Sequence, residues 1–140
     1  TDLLADTILA PELSKEAHYY RAKAYLDAGK TDGAMEDLKV LAKDTRNVYG
    51  AEAKYKVAQI YFDGGQTDKA EQEVLNYIEV STPHTYWLAR SFVLLADVYM
   101  KLGRNLDAKQ YLLSLKQNYQ ADDDIAGMIE SRLEKLKTEN

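Results

Sequence analysis

The stretch AKAYLDAGKTDGAMEDL at residues 22–38 returns as AQIYFDGGQTDKAEQEV and again as ADVYMKLGRNLDAKQYL. Aligned, the copies place Ala22, Ala58 and Ala96 at one position, with Tyr25, Tyr61 and Tyr99 three residues on. Gly29, Gly65 and Gly103 follow, then Ala34, Ala70 and Ala108, then Leu38, Val74 and Leu112, and last Leu41, Tyr77 and Leu115. The copies are spaced by 36 and then 38 residues. A unit this short cannot hide its apolar face alone and has to stack on its neighbours.

Each repeated position has a local cause. Alanine and tyrosine three residues apart share one helical face. Glycine closes that helix, because a left-handed residue without a Cβ carries no steric penalty. Thr31, Thr67 and Asn105 stand two residues after each glycine and are expected to N-cap the next helix. The second alanine lies just inside that helix, where a small side chain lets two helices approach. The apolar residues four and seven further on continue the buried stripe. Each unit is predicted to be helix, tight turn, helix. No segment alternates with period two over strand length, so the chain is expected to be all-α.

Composition narrows the function by exclusion. The chain has no cysteine, which removes disulfides and thiol chemistry. Its net charge is −5 and its lysines and arginines are scattered, so the basic stripe of a nucleic-acid binder is missing. No apolar run approaches a membrane span, and membrane insertion is not expected. The chain opens on Thr1 without a signal-peptide pattern, as expected of a processed chain or a piece of a longer one.

The pattern small-x-x-Tyr, Gly, Ala-x-x-x-apolar resembles the tetratricopeptide repeat. Leu95-Ala96-x-x-Tyr99 and Val57-Ala58-x-x-Tyr61 follow its signature, whereas Arg21 stands where an apolar residue is expected. The family's tryptophan slot holds His18, Lys54 and Phe92. The resemblance implies a right-handed superhelical solenoid of helix-turn-helix repeats over 14–46, 48–82 and 84–120. Residues 1–12, with Leu3, Leu4, Ile8 and Leu9, are expected to be the remnant of a preceding helix. Residues 122–138 are expected to form a C-terminal capping helix. The period exceeds the family's usual ~34 residues. Such stretched units are similar to those of envelope-assembly lipoproteins and periplasmic proteins of Gram-negative bacteria, which would suit a cell envelope.

The resemblance also implies a function: a non-catalytic scaffold that holds a partner protein or peptide on its concave face. The family's pattern places Tyr19, Lys23, Leu26 and Asp27 on that face in the first unit, and Tyr55, Gln59, Phe62 and Asp63 in the second. Val93, Asp97, Met100 and Lys101 take those places in the third, and Lys56 and Arg90, at the family's clamp positions, are counted with them as partner-binding residues. Leu26, Phe62 and Met100 are equally expected to pack against the next unit, since an apolar stripe at helical spacing is core by default. The carboxylate clamp of chaperone-tail binders is not matched: of Tyr19, Lys23, Lys56, Arg90 and Leu94, only Arg90 fits. The alternative is a structural module that self-associates or spaces other domains.

Nothing assembles into catalytic chemistry, and no cofactor is expected. His18 occupies a packing slot, and His84 and Ser81 lack flanking nucleophile-elbow glycines. Asp122, Asp124 and Gly127 fit a calcium loop at three places, but Ala126 and Leu133 occupy positions that need oxygen ligands. The Asp122–Asp124 run is instead expected to cap the last helix.

Overall fold

In the computed structural model the backbone is described for residues 3–80 and 82–138, and side chains for 13–80 and 82–138. Ser81, and the side chains of Leu3, Leu4, Ile8 and Leu9, lie outside the described residues. The described residues form α1 (Leu3–Asp27), α2 (Thr31–Leu41), α3 (Val48–Asp63), α4 (Thr67–Glu79), α5 (Thr85–Lys101), α6 (Asn105–Asn118) and α7 (Ile125–Thr138). Every helix packs on the next, and α1, α3, α5 and α7 also touch in that order. The result is an all-α solenoid in which the first helices of successive pairs form one face and the second helices the other.

The expected break after residue 12 is absent: α1 runs unbroken from Leu3 to Asp27. Pro11 is the local signal for a break, but it is accommodated inside the helix, and no glycine stands in that span to close it.

The three turns are built alike. Gly29, Gly65 and Gly103 take φ of 74°, 80° and 77°, the left-handed region. The N–H of the following Lys30, Gln66 and Arg104 donates to the carbonyl of Tyr25, Tyr61 and Tyr99 at 2.7, 2.8 and 2.7 Å. The glycine N–H donates to Leu26, Phe62 and Met100. This is the Schellman closure, and it explains why tyrosine and glycine keep a fixed spacing. It also corrects the expected caps. Thr31, Thr67 and Asn105 are the first helical residues, and the capping position belongs to Lys30, Gln66 and Arg104, none of which makes a side-chain cap bond. The residue that finishes one helix starts the next, leaving no room for a separate capping side chain.

The alanines are buried as their spacing requires: Ala34, Ala70, Ala96 and Ala108 are wholly inaccessible. A further close approach joins the first pair to the second. A Cβ on Gly50 would collide with the carbonyl oxygens of Asp44 and Leu41, so α3 starts against the end of α2 only because that residue is glycine. Asn47 caps α3, accepting from the N–H of Tyr49 at 2.8 Å. Asp123 accepts from the N–H of Ile125 at 2.9 Å at the start of α7.

Two apolar cores result. The smaller gathers Ala22, Ala34, Leu38, Leu41, Ala53 and Val57. The larger runs from Tyr55 and Val74 through Leu94, Leu95 and Leu112 to Ile129 and Leu136 on α7. Tyr77 holds the place that Leu41 and Leu115 take in the other units, and its hydroxyl donates to the Ala51 carbonyl at 3.2 Å. Burial pushes that phenol up to about 12. No helix among the described residues is long and apolar enough to cross a membrane.

Candidate functional site

The face made by α1, α3, α5 and α7 carries two clefts. One, of about 510 Å³, is lined by Leu26 of α1, residues of α3 including Glu52, Lys56, Gln59 and Asp63, and Trp87 and Arg90 of α5. The other, of about 580 Å³, is lined by Phe62 of α3, Asp97, Met100 and Lys101 of α5, and Ser131, Arg132 and Lys135 of α7.

In the first cleft α1 and α3 are tied by polar contacts. The Tyr19 hydroxyl donates to both Glu52 oxygens, at 3.1 and 3.3 Å, and its ring lies 4.4 Å from that of Tyr49. Burial first, and the Glu52 carboxylate second, push the Tyr19 phenol up to about 12. Glu52 also pairs with Lys56 at 2.6 Å, one helical turn along α3. Lys23 lies over the Tyr19 ring at 5.4 Å and remains exposed.

Tyr55 and Val93, which the family's pattern places on the concave face, are both buried. Tyr55 is only 7% exposed. The Arg90 guanidinium covers its ring at 4.9 Å and Trp87 lies beside it at 5.7 Å. Its hydroxyl donates to Gln59 at 2.8 Å, and Gln59 passes a bond to Asp63 at 2.8 Å. Burial raises the Tyr55 phenol, against the opposing pull of Arg90. Tyr55 is thus the floor of the cleft, and Arg90 with Trp87 is its lip. Val93 is 3% exposed and belongs to the larger core. Helical spacing identifies the face on which these residues lie, but not how far a neighbouring helix leans over it.

Leu26, Phe62 and Met100 take an intermediate position. Each is half-buried against a core, and each lines a cleft. Asp97 faces the second cleft but is not free. Arg132 of α7 grips it with two bonds, at 2.9 and 3.0 Å, and donates to the Met128 carbonyl at 3.2 Å.

The contributions of Glu52, Trp87, Arg132 and Lys135 were not anticipated. For α7 the available signal was its apolar face, with Ile125, Ile129 and Leu136 buried, which also fits a first helix of another pair. A helix in that place must contribute its exposed side to the shared face. His84 donates from Nε2 to the Arg46 carbonyl at 3.1 Å. The aspartates before α7 accept from Tyr119 and Tyr86. Among the described residues no group of three or more His, Asp or Glu side chains is arranged to hold a metal ion.

Repeated Schellman turns, buried alanines and a continuous face of first helices define a helical-repeat protein. Family models of the tetratricopeptide repeat match residues 16–44 and 89–118. The chain thus carries tetratricopeptide repeats, which generally mediate protein–protein interaction. The middle pair, α3 and α4, lies between the matched segments and carries the same turn. Among curated proteins and solved structures no match is found.

Proposed function

We propose that the chain is a non-catalytic scaffold that holds a segment of a partner protein along the concave face of its first helices. The repeats at 14–46, 48–82 and 84–120 would each supply one first helix, and α7 a fourth. The observation that supports this reading is the pair of clefts along those helices, which combine an apolar floor with ordered polar groups. Partner-binding sites commonly pair aromatic or apolar anchors with a polar rim. Lys23, Leu26, Lys56, Gln59, Phe62, Arg90, Asp97 and Met100 are proposed to touch the partner. Tyr19, Tyr55 and Val93 shape the surface from beneath.

Site-specific photocrosslinking tests this. A benzophenone side chain at Gln59 or Met100 is expected to trap a partner, and the same group at Gln72 of α4 or Lys109 of α6 is not. Adducts formed only from the second helices would overturn the reading. The rival, self-association, has a surface of its own, because Leu102, Leu106 and Leu113 stand exposed at the α5–α6 end. Adducts consisting only of two copies of the chain would favour it.

A further inference from the structure

The two clefts differ in charge. In the first, Lys56 and Arg90 stand against Glu52 and Asp63, and the formal charges cancel. In the second, Lys101, Arg132 and Lys135 stand against Asp97 alone, so three cations meet one carboxylate and the balance is +2. This cationic cleft sits on a chain whose net charge is −5. Arg132 spends its charge on Asp97 across the α5–α7 junction. Lys101 and Lys135 are exposed and have no ion-pair partner among the described residues. Beside them Phe62 and Met100 present half-buried apolar surface.

We infer that the α5–α7 cleft takes an acidic, extended segment of a partner protein, its carboxylates meeting Lys101 and Lys135 and an adjacent apolar side chain seated on Phe62 and Met100. This deepens the proposed function and rests on it. The cations come from the last turn of α5 and from α7, not from the clamp positions of which only Arg90 was matched. Charge complementarity decides the choice of occupant. A basic segment would meet two unanswered like charges, a neutral one would leave two ammonium groups unanswered, and a segment bearing carboxylates answers both. Apolar floor beside the cations favours a peptide over a phosphate backbone, which offers no side chain to cover Phe62 and Met100.

The test is selection from a phage-displayed library of random decapeptides against the parent chain and against the Lys101→Gln/Lys135→Gln variant. Both lysines are exposed, so the variant keeps the buried core, and circular dichroism checks its helicity. Peptides enriched on the parent are expected to be rich in Asp and Glu with an apolar residue among them. Synthetic copies are expected to bind the double variant about tenfold more weakly and to weaken as salt is raised. Peptides enriched without acidic bias, or acidic peptides that bind both proteins equally, would overturn this inference and leave the concave-face reading standing. No enrichment on either protein would overturn both. Tighter binding of a fluorescent oligouridylate than of any selected peptide, lost in the double variant, would reassign the cleft to nucleic acid.

Discussion

The first and third helix pairs share a backbone plan but fill one equivalent slot with opposite chemistry. Four residues before the first alanine, one before it, and three after the second alanine, the third pair has Phe92, Leu95 and Tyr111. There the Phe92 and Tyr111 rings lie 6.2 Å apart, and Tyr111 stacks on Tyr99 at 5.6 Å. The first pair has His18, Arg21 and Asp37. Asp37 is 2% exposed and accepts from His18 Nδ1 at 2.7 Å and from Arg21 at 2.8 and 2.6 Å. The middle pair is intermediate, with Val57 in the central place and Lys54 bound to Glu73 at 2.7 Å. One geometry is thus closed by an ionic cluster at one end of the array and by aromatic packing at the other. What the fold requires at this slot is filled volume with every polar atom satisfied, rather than a given residue type. No buried side-chain N or O atom among the described residues lacks a partner.

The largest effect is expected at the aromatic end. Phe92→Ala removes a half-buried ring between Tyr111 and the α5–α6 core and should cost about 2–3 kcal/mol. Chemical denaturation would report it, and a loss below half of that would mean that Tyr111 collapses into the space.

At the ionic end, Asp37→Ala should cost about 1–2 kcal/mol, through lost charge-assisted bonds and a small void. Arg21 is largely exposed and returns to water, which limits the loss. Because two-state behaviour weakens in repeat arrays, amide exchange in α1 and α2 is the better measure. A global change with no local one would mean that the first pair does not open independently.

Acid should separate the two ends. Hydrogen bonds from Arg21, joined by His18, hold the Asp37 carboxyl below the usual carboxylate range, against burial that pushes it up. A carboxyl depressed in the folded state contributes stability that is complete above its unfolded pKa and is lost as pH falls through the folded one. The gap in α1–α2 exchange stability between the parent and Asp37→Asn should be present at about pH 5. It should close below about pH 4. A gap that persists well below the carboxylate range would contradict the assignment.

The middle pair should respond least among single changes. Glu73→Gln removes a partly screened ion pair and should cost about 0.5–1 kcal/mol. Lys54, 11% exposed at its side chain, retains Asn76 at 2.6 Å.

The contrast between the ends also shows what was legible in the sequence. Tyr25 and Gly29 make one hydrogen-bonded turn within a few residues of each other, so their spacing carries the structure directly. Arg21 broke the apolar pattern, and its meaning lay sixteen residues away in Asp37, on a different helix. The clue was register: His18 with Asp37 and Lys54 with Glu73 occupy the same two positions, each setting an N–H donor against a carboxylate. The clefts were harder to foresee. Tyr55 lies on the expected face, but the depth at which it lies is decided by Trp87 and Arg90 of the next unit. Arg132 could be placed only once α7 was recognised as another first helix.

The sharpest form of the comparison is a transplant. His18→Phe, Arg21→Leu and Asp37→Tyr together would give the first pair the slot of the third. Tyr25 already stands where Tyr99 stands, so the new tyrosine would find the ring on which Tyr111 stacks. Replacing a buried ionic cluster by packed apolar groups of suitable volume is often neutral or stabilising, because the charges no longer have to be desolvated. The triple variant should therefore be at least as stable as the parent, where Asp37→Ala alone is weaker, and its α1–α2 exchange should no longer depend on pH below the carboxylate range. A triple variant less stable than Asp37→Ala would mean that the helices of the first pair are spaced for the ions, and that the two slots are alike only in sequence register.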